Sequence, residues 1–426
     1  MREVKRTIPT YSFYDRTGIQ NYLEDQAAKG WMLENAGTVC WRFRRMEPRK
    51  LKFSVVYFPE ADLYDPGPGE GEQTFREYCE HAGWHFAGSQ AQMQIFYSES
   101  ASPVPIDTDP VIEVENIHKS MKKSMLPGYW SLLVCSVIWM VNVFTQWNND
   151  PLRFLSANLT LYLMAFWPSM LLLCTGRLIC YYRWRRKAKR AAEDGEFLAS
   201  RSFQTIERAW AVLALVGLLA CLVFGRSQMT SFAVIFGVIT GVGLLIVEYI
   251  TRQIMKKKGY DAAESKVRTI VVTLVATLIM AIVVASAVFG VMERVDDDWE
   301  LYIELSDLMD VEYETLNLED TESILLRRQR ITHYTKEKPM TELQYQVVYV
   351  KADFLYDMCR EMILSDSYFE LVPVDSAPWG AVEVFEAWRN DQLKGYELCY
   401  EDYIVCIWPD WEMTAEQMAT IGKIFN

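Results

Sequence analysis

The sequence predicts three folded parts in succession. They are an α+β domain built as a tandem β-α-β-β repeat, an all-α bundle of five transmembrane helices, and a second α+β domain beyond the membrane. Three observations carry this reading. Within its first hundred residues the chain spells helix, Gly-Trp, strand, turn, strand twice. Its middle holds five long apolar runs. Charge is also segregated, with a net of −3 over residues 1–124, +9 over 125–292 and −19 over 293–426. A soluble enzyme rarely divides its charge this way, and 426 residues leave room for several domains.

The first domain, residues 1–118, rests on the stretches "EDQAAKGWMLENAGTVCWRFRR" and "REYCEHAGWHFAGSQAQMQIFYSE". A shift of 53 positions lays Tyr22 on Phe75, Glu24 on Glu77, Gly30 on Gly83, Trp31 on Trp84, Leu33 on Phe86 and Phe43 on Phe96. Each helix is expected to end at its glycine in a left-handed C-cap, and each tryptophan to begin a strand. "TYSFYD" and "LKFSVVYF" supply a strand ahead of each helix, and "PEADLYDPGPGEGEQ" reads as a loop. The Gly-Trp pairs are expected to anchor helix on sheet. The functional reading beside it is a cleft lined by Trp31, Trp41, Trp84 and Phe96, open to an apolar ligand or a partner peptide.

The motifs "KGWMLE", "FRRMEPRK", "VVYFP" and "AGW" resemble those of bacterial membrane proteins grouped under domain of unknown function 2812. The resemblance covers residues ~10–100 and extends loosely into the apolar runs that follow. It implies a cytoplasmic module ahead of several transmembrane helices, in Gram-positive bacteria, often encoded beside a PadR-type transcription regulator. It implies no catalytic residues.

The region 119–292 contains apolar runs at about 127–147, 154–179, 209–225, 229–250 and 270–292, each close to the length that crosses a bilayer. Buried helices of a large soluble core would not come five in a row with basic clusters between them. The loops between the runs, with the segments just before the first and just after the last, carry 17 Lys/Arg on one side and 3 on the other. By the positive-inside rule the N-terminus is cytoplasmic, and an odd number of spans puts the acidic C-terminal domain outside. The first run is expected to serve as its own insertion signal. Few ionisable residues lie at mid-span, which speaks against a proton or solute pathway. Ala233, Gly237 and Gly241, and likewise Thr273, Thr277, Ala281 and Ala285, recur at four-residue spacing. Such faces let helices approach closely within the bundle or across a homodimer.

No constellation of catalytic or metal-binding residues stands out. Cys79, His81 and His85 are close in sequence, but Gly83-Trp84 breaks the helix that would align them. "DPGPGEGE" lacks the Lys-Ser/Thr of a phosphate loop, and its acidic residues repel phosphate. The run Asp296-Asp297-Asp298 lacks the alternation of a calcium loop and reads as a solvated stalk.

Residues 293–426 form the acidic α+β domain. Strands are expected at "RQRITHYTK", "ELQYQVVYV", "AVEVFEAW", "YELCY" and "YIVCIW". Helices are expected at "KADFLYDMCREMIL" and "TAEQMATIGKIF", the latter capped by Thr414. Cys399 and Cys406 flank a hairpin turn, and strand register decides whether they oppose. Trp379, Trp388 and Trp408 are core or binding surface. The expectation is a non-enzymatic multi-pass membrane protein of signalling or regulation, without cofactor or nucleic acid. Its partners would be membrane lipid and a regulator protein at the cytoplasmic domain. The alternative is an accessory or permease subunit of a transport system.

Overall fold

The computed structural model describes residues 3–8, 11–37, 40–200, 204–224, 228–292, 301–336, 341–365 and 369–426. The chain divides into two compact units. One comprises Met1–Trp139, Trp167–Leu215 and Val238–Val283; the other comprises Met140–Phe166, Val216–Gly237 and Val284–Asn426.

In the first unit the chain begins β1 (Val4–Thr7), α1 (Arg16–Ala28), β2 (Trp31–Ala36), β3 (Trp41–Arg45). It continues β4 (Lys52–Tyr57), α2 (Glu70–His81), β5 (His85–Gln90), β6 (Met93–Ser98). Two three-stranded antiparallel sheets result, in the orders β1-β3-β2 and β4-β6-β5. Asp15 starts α1 by accepting a hydrogen bond from the Gly18 amide at 3.0 Å. Both helices stop at a glycine with positive φ, +79° at Gly30 and +85° at Gly83, a conformation that a Cβ would strain. The strands that follow are bulged at Leu33/Asn35 and at Phe86/Gly88.

Ile19, Leu23 and Ala27 line one side of α1, spaced to face one way, and join Phe53 and Val55 of β4 in the core. Helix α3 (Pro110–Ser124) is capped by Asp109, whose carboxylate accepts from the Val111 amide at 2.8 Å, and has Pro110 in its first turn. Its Ile117 and Met121 close the same core.

The middle is helical: α4 (Leu126–Asn149), α5 (Pro151–Leu155), α6 (Asn158–Glu193), α7 (Gln204–Phe224), α8 (Gln228–Lys258) and α9 (Ala262–Met292). Over the described residues, four segments are long and apolar enough to cross a membrane. They are Leu126–Asn149, Asn158–Glu193, Gly237–Lys258 and Ala262–Val283. Helix α7 holds the third apolar run and is not among these four; Gly225, its last residue, lies outside the described residues.

One predicted boundary is corrected. Phe154 and Leu155 do not open the second span but belong to α5, a separate turn started by Asp150 and Pro151. Leu152 and Leu155 are buried against strands of the C-terminal domain, so a span cannot include them.

In the second unit, α10 (Leu305–Leu308) precedes β7 (Tyr313–Glu322), β8 (Leu326–Thr335) and β9 (Glu342–Val350). Helix α11 (Tyr356–Ser365) follows a 3-10 turn and leads to β10 (Glu370–Val374), β11 (Glu383–Arg389), β12 (Gln392–Cys399) and β13 (Tyr403–Pro409). Helix α12 (Ala415–Phe425) closes the chain; Thr414 caps it, with Gln417 completing the reciprocal bond. The strands form one antiparallel sheet in the order β10-β11-β12-β13-β9-β8-β7. Side chains alternate between its faces. One face carries Ile331, Tyr345, Val347, Val405, Ile407 and Leu398 into the main core, with Trp379, Ile421 and Phe425. The other carries Leu326, Val348, Ile404, Cys399 and Cys406 into a smaller core with Cys359 and Ile363 of α11 and with α5. Register sets Cys399 opposite Ile404 and Cys406 opposite Glu397, so the two thiols are diagonal, and both are free.

Candidate ligand-binding groove

The smaller core covers only part of its sheet face. Beyond it, the same face turns polar and forms a groove of about 590 Å³, within the size range of small-molecule sites. Strand pairing builds its floor. Arg330 of β8 lies opposite Gln346 of β9, which lies opposite Cys406 of β13, which lies opposite Glu397 of β12. One step along, Gln344 is paired with Trp408. Arg328 stands two residues before Arg330, so the two share the face. Arg389 and Lys394 enter from β11 and β12, and Met362, Ile363 and Phe369 form an apolar wall.

Arg328 is the one buried cation among these groups, 5 % exposed. It donates from Nη1 to Asp150 at 2.8 Å and from Nη2 to Gln346 at 2.9 Å. Asp150 sits between α4 and α5, and its other oxygen caps α5 by accepting from the Arg153 amide at 3.0 Å. Further bonds tie α5 and the start of α6 to the domain: Ser323 Oγ donates to the Leu155 carbonyl at 2.6 Å, and the Ile324 amide to the Asn158 side chain at 2.9 Å. Burial pushes the Cys406 thiol well above its ordinary value, with Glu397 adding to it, so it stays protonated at neutral pH.

Histidine chemistry is not available in the groove. His333 alternates to the opposite face, is fully buried, and donates from Nε2 to the Ile303 carbonyl at 3.2 Å. Burial holds it below the usual imidazole range. Among the described residues, no group of three or more His, Cys, Asp and Glu is placed to hold a metal ion. His81 and His85 are exposed while Cys79 is buried. The Asp296–Asp298 run lies outside the described residues.

The four aromatic residues proposed to line a cleft in the first domain do not converge on one. Trp84 (4 % exposed) and Phe96 are buried with Val56 and Cys79, and Trp84 Nε1 donates to the Val104 carbonyl at 2.7 Å. Trp41 (1 % exposed) belongs to the separate main core. It borders a cavity of about 320 Å³ with Phe13, Met93, Tyr129 and the Arg177–Glu207 ion pair. Trp31 is half-buried, its ring flanked by Lys5 at 5.7 Å and Arg45 at 5.0 Å.

Of the helix-packing residues, Gly237 and Gly241 have no described atom within 4 Å of where a Cβ would stand, and Thr277 and Ala281 are exposed along α9. The side chains of Ala233 and Ala285 lie outside the described residues. Close approach occurs instead at Gly217, where the Tyr162 ring lies 2.9 Å from that position. Trp379 is core, while Trp388 and Trp408 are half-buried, and Trp408 lines the groove.

Of the groove residues, Cys406 and Trp408 were singled out from sequence, neither as part of a groove, and the charged ones were not. The groove's signal is the period-2 alternation in "ELQYQVV", where Glu342, Gln344 and Gln346 alternate with Leu343, Tyr345 and Val347.

Residues 15–128 match the family described as "Protein of unknown function (DUF2812)". No curated protein and no solved structure matches the chain.

Proposed function

We propose that this chain, a member of the DUF2812 family through residues 15–128, is a multi-pass membrane protein of signalling or regulation. In this reading it senses with its C-terminal domain and engages a regulator with its N-terminal one. The observation that carries it is the groove, a recess rich in hydrogen-bonding groups on the domain that follows the spans. Asp150 joins that recess to the end of α4, an apolar helix of 24 residues. A change in the groove therefore has a direct mechanical route into a span.

Sidedness follows from chain length and charge. Helix α7 has 21 residues, about 31 Å at 1.5 Å per residue, enough for a fifth crossing. Five crossings and the 17-to-3 division of Lys/Arg support a cytoplasmic N-terminus and an outward-facing groove. The N-terminal module is a duplicated β-α-β-β unit. Its paired sheet orders, paired glycine caps and bulges at corresponding places support that origin. The open small-residue face at Gly237 and Gly241 suits a second copy of the chain.

The test is crosslinking and affinity purification of the full chain from its native membranes. A protein partner crosslinked to residues 1–118 is expected. Solute flux into vesicles holding the purified chain alone, with no partner recovered, would establish the transport reading instead.

A further inference from the structure

We propose that the groove binds a small anion with a phosphoryl or carboxylate head and an apolar body, and that this head competes with Asp150 for Arg328. The inference rests on the reading of the C-terminal domain as the sensing module, and it names the chemistry sensed.

The charge balance is the first argument. Arg328, Arg330, Arg389 and Lys394 line the groove against Asp150 and Glu397. The recess is thus a positive island in a part of the chain whose net charge is −19. Among the described residues, Arg330 and Arg389 have no ion-pair partner.

The second argument is unfilled donors. Arg328 uses both terminal nitrogens, yet its buried Nε has no hydrogen-bond partner among the described residues. The Trp408 Nε1 is buried and without a partner in the same way. Buried donors left unpaired are destabilising, and a planar guanidinium is shaped to bind the oxygens of a carboxylate or phosphoryl group. Met362, Ile363, Phe369 and Leu152 give the recess an apolar side, which a bare inorganic ion would leave wet.

The third argument is the position of Asp150. Its carboxylate is already an anion on Arg328, at one edge of the groove. A ligand head reaching Arg328 weakens that bond and frees the residue between α4 and α5. Binding and displacement are then one event.

Phenyl phosphate is the probe, titrated calorimetrically into the full chain in phosphatidylcholine nanodiscs. Inorganic phosphate and phenol serve as half-probes, lacking the body and the head. Phenyl phosphate should bind roughly tenfold more tightly than either. The double variant Arg330→Gln/Arg389→Gln, altered only at exposed side chains, should keep its melting temperature and lose roughly tenfold in affinity. Asp150→Asn keeps a capping oxygen but removes the competing charge, so it should bind the probe roughly three- to tenfold more tightly. Adding phosphatidylglycerol to the nanodiscs separates sources: weaker apparent binding there means a lipid headgroup occupies the groove, and unchanged binding means a soluble ligand. No binding of phenyl phosphate, equal binding in the double variant, or weaker binding in Asp150→Asn overturns the proposal. If the binding pattern holds but partner recovery on residues 1–118 is the same with and without the probe, the site stands and the sensing reading fails.

Discussion

Glu113 is 6 % exposed and accepts a hydrogen bond from Arg16 at 2.5 Å, while Asp107 lies 3.6 Å from the same guanidinium. Burial pushes the Glu113 carboxyl from 4.5 up to about 7; Arg16 opposes the shift and Asp107 adds to it. The folded state thus holds this proton more readily than the unfolded chain does. Its contribution to stability is greatest below 4.5 and falls as the pH rises toward about 7. Glu113→Gln should therefore melt progressively higher than the parent between about pH 5 and about pH 8. Parallel melting curves across that range would contradict it. At the same scale, Trp31 and Trp84 match in sequence but differ in burial. Trp84→Ala should cost the N-terminal domain roughly 3–5 kcal/mol as a core loss, measured by denaturant titration. Trp31→Ala, at a half-buried ring, should cost clearly less. Equal losses would mean that Trp31 is also packed as core.

At the scale of elements, local chemistry made much of the chain legible. Gly30 and Gly83 mark their helix ends because only glycine adopts that backbone freely. Strands β8, β9, β11, β12 and β13 were readable from short runs rich in β-branched and aromatic residues, and α12 from its cap. Thr414→Ala should lower stability by about 1 kcal/mol, and a change well below this would mean the Gln417 bond compensates. Three strands were missed: the first lies at Val4–Thr7, ahead of "TYSFYD", and the other two were missed for identifiable reasons. β7 is rich in Glu and Asp, residues rare in strands, and holds its place through Arg327 paired with Asp320. β10 contains Pro373, which is tolerated because β10 lies at the sheet edge. The groove was not legible because it exists only once four adjacent strands take one register. Arg330 and Glu397 are 67 positions apart in sequence and meet across Gln346 and Cys406. On α8, Gly237→Leu meets open space, so it should leave the monomer's melting unchanged and reduce intermolecular crosslinking of the full chain. Unchanged crosslinking would assign that face to lipid.

For the whole molecule, the proposed function requires the groove and the N-terminal module to lie on opposite sides of one membrane. Its weak joint is α7. With that helix inserted the crossings are odd and the groove is outside, and with it excluded both ends share the cytoplasm. Thiol labelling decides between these. With Cys40, Cys135 and Cys180 replaced by alanine, single cysteines are placed at Glu47 and at Lys394, both exposed. A membrane-impermeant maleimide is then applied to intact cells and to lysed ones. Lys394→Cys should be labelled in intact cells and Glu47→Cys only after lysis. Protection of Lys394→Cys in intact cells, with labelling after lysis, would contradict this arrangement.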